Sequence, residues 1–338
     1  MADDAELIDL VRSAAADAKL SGVVRVDRAG ETVVREAFGL ADRRHAIPNS
    51  RATLFGIASG AKGFTALVVM SLVADGVLSL DTTARSLLGD DLPLIDDAVT
   101  VGDLLAHRSG IGDYLDESVE SDINDYVMPI PVHELADVES YVRVLDGHPQ
   151  QEPPGAAFRY NNGGFVVLSL LAERAAGQSF HQLVDDRVAK PAGLAATGFD
   201  RGDELPADVA VGYVDDEGLR SNVLHLPVRG SGDGGIVTTV DDVHRLWHAF
   251  FDDRIVPAEL RRAMVTPLSD APVQRLRYGR GFWLHATGDA VALEGFDPGV
   301  SFRTVHDPVT ATTHTTIANT SSGAWPVTKV LDSALGLD

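Results

Sequence analysis

The stretch Leu54-Phe55-Gly56-Ile57-Ala58-Ser59-Gly60-Ala61-Lys62-Gly63-Phe64-Thr65-Ala66, continuing to Ala74, decides how the rest of the chain is read. From about Ser59 to Ala74 it reads as a helix stopped by Asp75-Gly76, apolar on most faces and therefore buried rather than amphipathic. A Ser at a helix start and a Lys three residues on project from the same face, one turn apart, which sets an amine near a hydroxyl. The helix N-terminus offers unpaired N–H groups to a developing oxyanion. A lysine facing an apolar interior gives up its charge more readily than one in water and can serve as a base. Taken alone, Ser59 also reads as an N-cap and Lys62 as a snorkelling surface residue.

Working outward, residues 4–20 place Leu7, Leu10, Val11, Ala14 and Ala18 at helical spacing and read as a surface helix. Strand-like runs follow at Val23 to Asp27 and Thr32 to Phe38, joined as a hairpin through Ala29-Gly30. Helical patterns at Val101 to Ala106, Val138 to Leu145, Phe165 to Ala176 and Phe180 to Val188 alternate with Pro- and Asp-rich loops. Strand signals return at Val209 to Val214 and Leu219 to Leu224. Helices at Val240 to Phe251 and Ala258 to Met264 precede strand-like runs at Tyr278 to His285, Ala290 to Leu293, Val300 to Val305 and Thr312 to Ile317, and a helix at Trp325 to Leu335. Strands at both ends with helices between predict a mixed α/β sheet lobe, residues 1–80 and 205–338, split by a helical lobe at 81–204, with the active site at their interface.

The 338 residues carry 28 Lys and Arg against 50 Asp and Glu, a formal charge of −22, and no Cys. That charge repels phosphate backbones and anionic lipid, and no Lys/Arg run reverses it locally, so neither nucleic acid nor a membrane is an expected partner. Without Cys there is no disulfide framework, thiolate nucleophile, iron–sulfur cluster or Cys-type zinc site, so any nucleophile is oxygen or nitrogen. Met1 to Glu6 lacks the basic and apolar regions of a secretory signal, and Phe64 to Val73 falls short of the ~20 apolar residues that span a bilayer. A cytoplasmic location is expected. Only four of the cations are Lys, which fits an arginine-rich host with an acidic surface, or a salt-adapted one.

Two formal motifs fail on context and a third is absent. Gly230-Ser231-Gly232-Asp233-Gly234-Gly235 matches GxGxxG, but Pro227 interrupts the preceding run and no βαβ unit frames it, so it reads as a flexible turn entering the Val240 helix. No GxSxG elbow is present. His244 and His248 sit at i and i+4 without HExxH or an obvious third ligand, and read as a partly exposed helix face; no metal or cofactor is expected.

Further segments bear on Ser59 and Lys62. Gly39-Leu40-Ala41-Asp42, the Leu54–Ala66 run, Asp75-Gly76 with Leu80-Asp81, Leu104 to Ile111, Pro154-Gly155 before Phe158-Arg159-Tyr160-Asn161-Asn162, and Gly234 to Thr239 before Asp241 stand in the order found in one family. Over nearly its whole length the chain resembles the serine β-lactamase and penicillin-binding protein superfamily, in its class C β-lactamase-like branch that includes family VIII carboxylesterases. The resemblance implies a β-lactamase/transpeptidase-like fold: a mostly antiparallel sheet flanked by helices, with an inserted all-helical lobe. It implies that Ser59 is acylated, that Lys62 shares its proton, that Tyr160 relays a proton to the leaving group and that Asn162 orients Lys62 or the substrate. It makes His107 to Gly110 a structural turn. A phenol beside an ammonium has its ionised form favoured, so Tyr160 and Lys62 are expected to titrate as a coupled pair.

The third motif of that family, usually Lys-Thr-Gly or His-x-Gly, falls here on Leu293-Glu294-Gly295. Gly295 permits close backbone approach, and the N–H of Phe296 is the candidate second oxyanion donor beside that of Ser59. The cation that would pair with the carboxylate of a β-lactam or peptidoglycan stem is replaced by Leu293, and Glu294 repels such a group if it faces inward. Arg303 on the next strand is a candidate replacement. These residues point to a serine hydrolase, most of all a carboxylesterase, acting on small neutral esters or amides through a Ser59 acyl-enzyme. The alternatives are an acyltransferase, a D-amino-acid peptidase or amidase, a weak β-lactamase, and a sensor or binding module that is acylated without turnover.

Overall fold

A computed structural model describes residues 3–117 and 122–337. Its centre is an eight-stranded sheet in which every neighbouring pair is antiparallel. In chain order the strands are β1 (Gly22–Arg28), β2 (Glu31–Phe38), β3 (Ser269–Ala271), β4 (Leu276–Tyr278), β5 (Trp283–His285), β6 (Val291–Asp297), β7 (Val300–Asp307) and β8 (Thr312–Ala318). Across the sheet they run β2-β1-β8-β7-β6-β5-β4-β3. All eight strands come from residues 22–38 and 269–318; six fall on the runs read as strands, while β3 and most of β4 lie outside them. The family's mostly antiparallel sheet, flanked by helices, is what the chain forms.

Five longer helices frame the sheet: α1 (Asp4–Asp17), α2 (Ala61–Ala74), α3 (Asn162–Ala176), α4 (Val240–Phe251) and α5 (Ala324–Leu335). Asp3 caps α1 by accepting from the N–H of Glu6 at 2.9 Å, and Asn161 caps α3 by accepting from that of Gly164 at 2.6 Å. Every residue of α2 from Ala61 to Leu72 is buried, so its lack of a polar face reflects packing on several sides. α2 packs on α3, while α1 and α5 pair on the other face of the sheet. The two faces bury separate apolar cores, one containing Phe64, Phe165 and Trp247, the other Leu7, Val24 and Leu331. β8 is buried along its whole length because α4 and α5 both cover it.

Several local expectations differ. Residues 209–214 and 219–224 form isolated bridges, Leu54 with Val209 and Tyr213 with Ser221 and Thr320. Their backbone amides are taken by unrelated segments, Ala210 by Leu54, Val211 by Ala41 and Tyr213 by Asn319, which leaves no continuous ladder to make a strand. Tyr278 to His285 is two strands, β4 and β5, because Gly281 takes a φ of +85° and turns the chain. The Phe180 helix is α-helical to Val184 and continues as a π turn over Asp185–Ala189. His244 is not on an exposed face: it is 1% exposed, with Nδ1 2.8 Å from Asp27 Oδ2, since its side of α4 lies against β1. Burial holds its pKa down to about 4, so it is neutral at ordinary pH. His248 is exposed.

Candidate active site

Ser59 lies in a single 3-10 turn, Ala58–Gly60, that leads directly into α2. The residue before it, Ala58, is held at a φ of +46°, a left-handed conformation rare for a residue with a side chain. β6 fixes the turn from one side. A β-carbon on Gly295 would sit 2.0 Å from the carbonyl oxygen of Ile57 and 2.8 Å from the Ser59 nitrogen, so only glycine lets the strand come this close.

Lys62 projects from the first turn of α2 back towards Ser59. Its Nζ donates to Ser59 Oγ at 2.8 Å, to Asn162 Oδ1 at 2.8 Å and to the carbonyl oxygen of Asp233 at 3.1 Å. Three acceptors use all three ammonium protons. The residue is 2% exposed, and burial pulls its pKa below the ordinary lysine value against the opposing pull of Asp233, Glu117, Asp297 and Asp113. Asn162 links Lys62 to the 115–117 segment: its Oδ1 accepts from the ammonium while its Nδ2 donates to the Leu115 carbonyl and to Glu117 Oε1, each at 2.9 Å.

Tyr160 lines a small pocket together with Ser59 and Lys62, and the Lys62 nitrogen stands 5.0 Å from its ring centroid. The phenol is stacked on Trp283, centroids 5.9 Å apart at 11°, and tilted against His107 at 4.5 Å. The expectation of a favoured phenolate does not hold. Burial, then the Glu117 carboxylate, push the Tyr160 pKa well above its usual value, outweighing the opposing pull of Ser59. The phenol therefore keeps its proton at neutral pH.

Along β6 the side chains alternate. Leu293 and Gly295 face α2, where Leu293 covers Gly63. Glu294 and Phe296 face α5: Glu294 Oε2 pairs with Arg303 Nη1 at 2.7 Å, and the Phe296 ring meets Trp325 at 6.3 Å. Glu294 thus turns away from Ser59. Arg303 sits opposite Glu294 in the β6–β7 register and also bonds Asp332 of α5 at 3.2 Å, so it does not replace the missing cation.

Other functional positions were not evident in the sequence. The Gly230–Gly235 segment is no flexible turn. Ser231 is fully buried, the Gly232 carbonyl accepts from Thr65 Oγ1 at 2.6 Å, and the Asp233 carbonyl is a ligand of Lys62. The Asp233 carboxylate is held by Tyr114 OH at 2.5 Å and Ser231 Oγ at 2.8 Å. Asp113 accepts the amides of Asn162 at 2.7 Å and Gly163 at 2.8 Å, which ties the start of α3 to the site. Burial raises its pKa to about 6. Two features of the sequence mark this region, the GxGxxG match and the family segment from Gly234 to Thr239.

The site opens into a cavity of about 770 Å³ lined by Ser59, Asn162, Asp233 and Asp297 together with apolar side chains such as Leu115, Ile123, Met128 and Val228. Among the described residues no three His, Cys, Asp or Glu side chains are grouped to hold a metal ion.

Comparison with known proteins agrees with this architecture. The chain is 33% identical to a penicillin-binding protein from Bacillus halodurans whose crystal structure superposes with a TM-score of 0.90, covering 96% of this chain and 99% of that one. It is 34% identical over 195 residues to the esterase EstB of Burkholderia gladioli, covering 53% of this chain and 47% of that protein. To a D-aminopeptidase of Brucella anthropi it is 29% identical over 274 residues, covering 79% of this chain and 49% of that protein, so it spans about half the length of both. The Beta-lactamase family model matches residues 7–330, and with the sheet, the buried α2 and the Ser59–Lys62 contact in place, the chain belongs to the Beta-lactamase family.

Proposed function

We propose that the protein is a serine hydrolase that cleaves small esters through an acyl-enzyme on Ser59. The observation that carries this reading is the 2.8 Å contact from Lys62 Nζ to Ser59 Oγ within a buried polar network. In its neutral form Lys62 takes the Ser59 proton as Oγ attacks the carbonyl carbon. The tetrahedral oxyanion rests on the backbone N–H groups of Ser59 and Phe296, which the approach of Gly295 brings close together. The C–O bond to the alcohol breaks as Tyr160 donates its proton to the leaving oxygen. The Lys62 proton passes back to Tyr160; water then attacks the acyl carbon as neutral Lys62 takes its proton, and that proton returns to Ser59 Oγ as the acyl C–O bond breaks and the acid departs. Residues from all three parts of the chain take part, Ser59 and Lys62 from 1–80, Tyr160 and Asn162 from 81–204, and Gly295 and Phe296 from 205–338, which supports a site at the junction of two lobes.

Preference for esters over β-lactams is supported by the α2-facing side of β6, where Leu293 offers no cation, and by the carboxylates of the cavity wall. Cleavage of amides by the same groups is the second reading, favoured by the neutral Tyr160, since an amine leaving group needs a proton donor more than an alkoxide does. Burst and steady-state hydrolysis of p-nitrophenyl acetate and butyrate, measured beside nitrocefin with Ser59→Ala as control, tests the proposal. Sustained ester turnover lost in Ser59→Ala is expected. Acylation that stops after one equivalent would instead identify a sensor, and faster nitrocefin turnover would overturn the ester preference.

A further inference from the structure

Of the six carboxylates on the wall of the catalytic cavity, Glu117, Asp233 and Asp297 act on Lys62, and these three are not equivalent. Glu117 accepts from Asn162, and Asp233 accepts from Tyr114 and Ser231. Asp297 receives no hydrogen bond and no ion pair on its side chain from any described residue. Its position is nonetheless well defined. It ends β6 at the turn Pro298-Gly299, where Asn222 Nδ2 donates to the Pro298 carbonyl at 2.9 Å and the Gly299 amide donates to Ser321 Oγ at 2.8 Å. Asp297 Oδ2 and the carbonyl oxygen of Ala58 each lie 3.8 Å from the same point, the place a β-carbon on Gly234 would take. The free carboxylate therefore stands across Gly234 from the turn that carries the nucleophile.

Asp297 is partly exposed on the cavity wall, so its carboxylate oxygens are open to a ligand and not sealed in the core. Desolvation at the cavity wall, then the neighbouring Asp233, raise its pKa to about 7 against the opposing pull of Lys62. A donor-only cation of small size is its chemical complement, whereas an anion at this point meets three carboxylates. We propose that Asp297, backed by Asp233 and Glu117, binds a substrate ammonium group, so that the enzyme acts on esters or amides of amino acids in which the amine lies within a few bonds of the scissile carbonyl. This deepens the hydrolase reading above and rests on it. Binding also readies the base. Asp297 is one of the charges that hold Lys62 protonated, and an ammonium paired with it cancels that support and adds a positive charge nearby, which favours neutral Lys62.

The test compares methyl 2-aminohexanoate, each enantiomer separately, with methyl hexanoate, a pair that differs only by the amine. Hydrolysis by the wild type and Asp297→Asn is followed in a pH-stat at about pH 7, where the carboxylate is substantially ionised once paired. Binding of the same esters to Ser59→Ala and to Ser59→Ala/Asp297→Asn is measured by calorimetry. The ratio of kcat/KM for the amino ester over the plain ester is expected to fall at least about tenfold on Asp297→Asn, with a matching loss in Kd ratio. Asp297→Ser provides a second removal of the charge should the Asn side chain disturb the turn. A ratio unmoved by either variant, or equal binding of both esters by Ser59→Ala, overturns the ammonium site. Asp297-dependent binding without hydrolysis by the wild type would uphold that site and sink the hydrolase reading. Hydrolysis of both esters at an Asp297-independent ratio would do the reverse.

Discussion

His107 Nδ1 accepts the backbone N–H of Asn161 at 3.1 Å, and the carbonyl of the same residue accepts the N–H of Arg159 at 2.8 Å. The two residues that flank Tyr160 are thus both tied to one histidine, whose ring also packs against the phenol. To accept at Nδ1 the imidazole must be neutral with its proton on Nε2. Burial ensures this by holding the His107 pKa well below its usual value, with the Lys62 charge acting in the same direction. His107, which the family resemblance marked only as part of a structural turn, is in this geometry a positioning residue for Tyr160 and Asn162.

Replacing His107 by Leu removes the acceptor and leaves the Asn161 amide unpaired in a buried site. A loss of roughly 100-fold in kcat is expected from the misplaced phenol, with KM moving less. His107→Gln, which keeps an acceptor oxygen on a side chain of similar reach, is expected to recover most of that loss. Steady-state kinetics on p-nitrophenyl butyrate decide the matter; equal defects in the two variants would show that packing, and not the hydrogen bond, is what counts.

Lys62 sets function against stability. Its charge is disfavoured in the fold, so Lys62→Met is expected to raise Tm by roughly 1–3 °C while lowering kcat/KM by about 10²–10⁴. The sign follows from linkage: a base whose pKa is lower in the folded state binds fewer protons there than in the unfolded chain, so its cost is present at neutral pH and disappears as pH rises towards 10.5. Calorimetry across pH, paired with the rate of labelling by a fluorophosphonate, checks both halves. A substantial fall in Tm at neutral pH would contradict the assigned electrostatics.

What could be read in the sequence and what could not divides along physical lines. The apolar continuity of α2, the Ala29-Gly30 hairpin and the spacing of Ser59 to Lys62 are local patterns, and the fold preserves them. The buried partners of Lys62 come from residues 100 and 171 positions away, and no local pattern encodes that Asp233 presents its carbonyl while Asp297 presents a free carboxylate. The direction of Glu294 is an alternation rule applied to a register, and the register is known only once β6 and β7 are paired. The raised pKa of Tyr160 comes from burial and Glu117, which no local pattern encodes, whereas the adjacent ammonium is visible in the sequence.

Asp297→Asn also has a pH-dependent effect on stability that needs no substrate. The folded-state pKa of Asp297 is raised from 3.8 to about 7, so the fold holds a proton that the unfolded chain has released across that interval. Stability is therefore lost as pH rises from about 4 to about 7, and the full cost remains above it. The variant is expected to gain roughly 2–5 °C in Tm near pH 8 and nothing near pH 4. A gain of equal size at both pH values would mean that the carboxylate is not penalised by its surroundings.

Two glycines near the nucleophile separate backbone constraint from side-chain packing. At Gly295 an added methyl meets backbone atoms, the Ile57 carbonyl and the Ser59 nitrogen, and neither can move without dismantling the turn that carries the nucleophile. At Gly63 the added methyl meets Leu293 Cδ2 at 2.6 Å, the end of a flexible side chain that can change rotamer. Gly295→Ala is expected to cost about 1–3 kcal/mol in stability and about 10²–10³ in kcat, because β6 must withdraw and take the second oxyanion donor with it. Gly63→Ala gains about 1 kcal/mol of helix propensity, which offsets much of the crowding, and Leu293→Val in the same chain gives the methyl room. Chemical denaturation and ester kinetics on the three variants discriminate the two effects. If Gly295→Ala keeps its turnover while Gly63→Ala loses it, the surface of α2 and not the approach of β6 is what builds the oxyanion site.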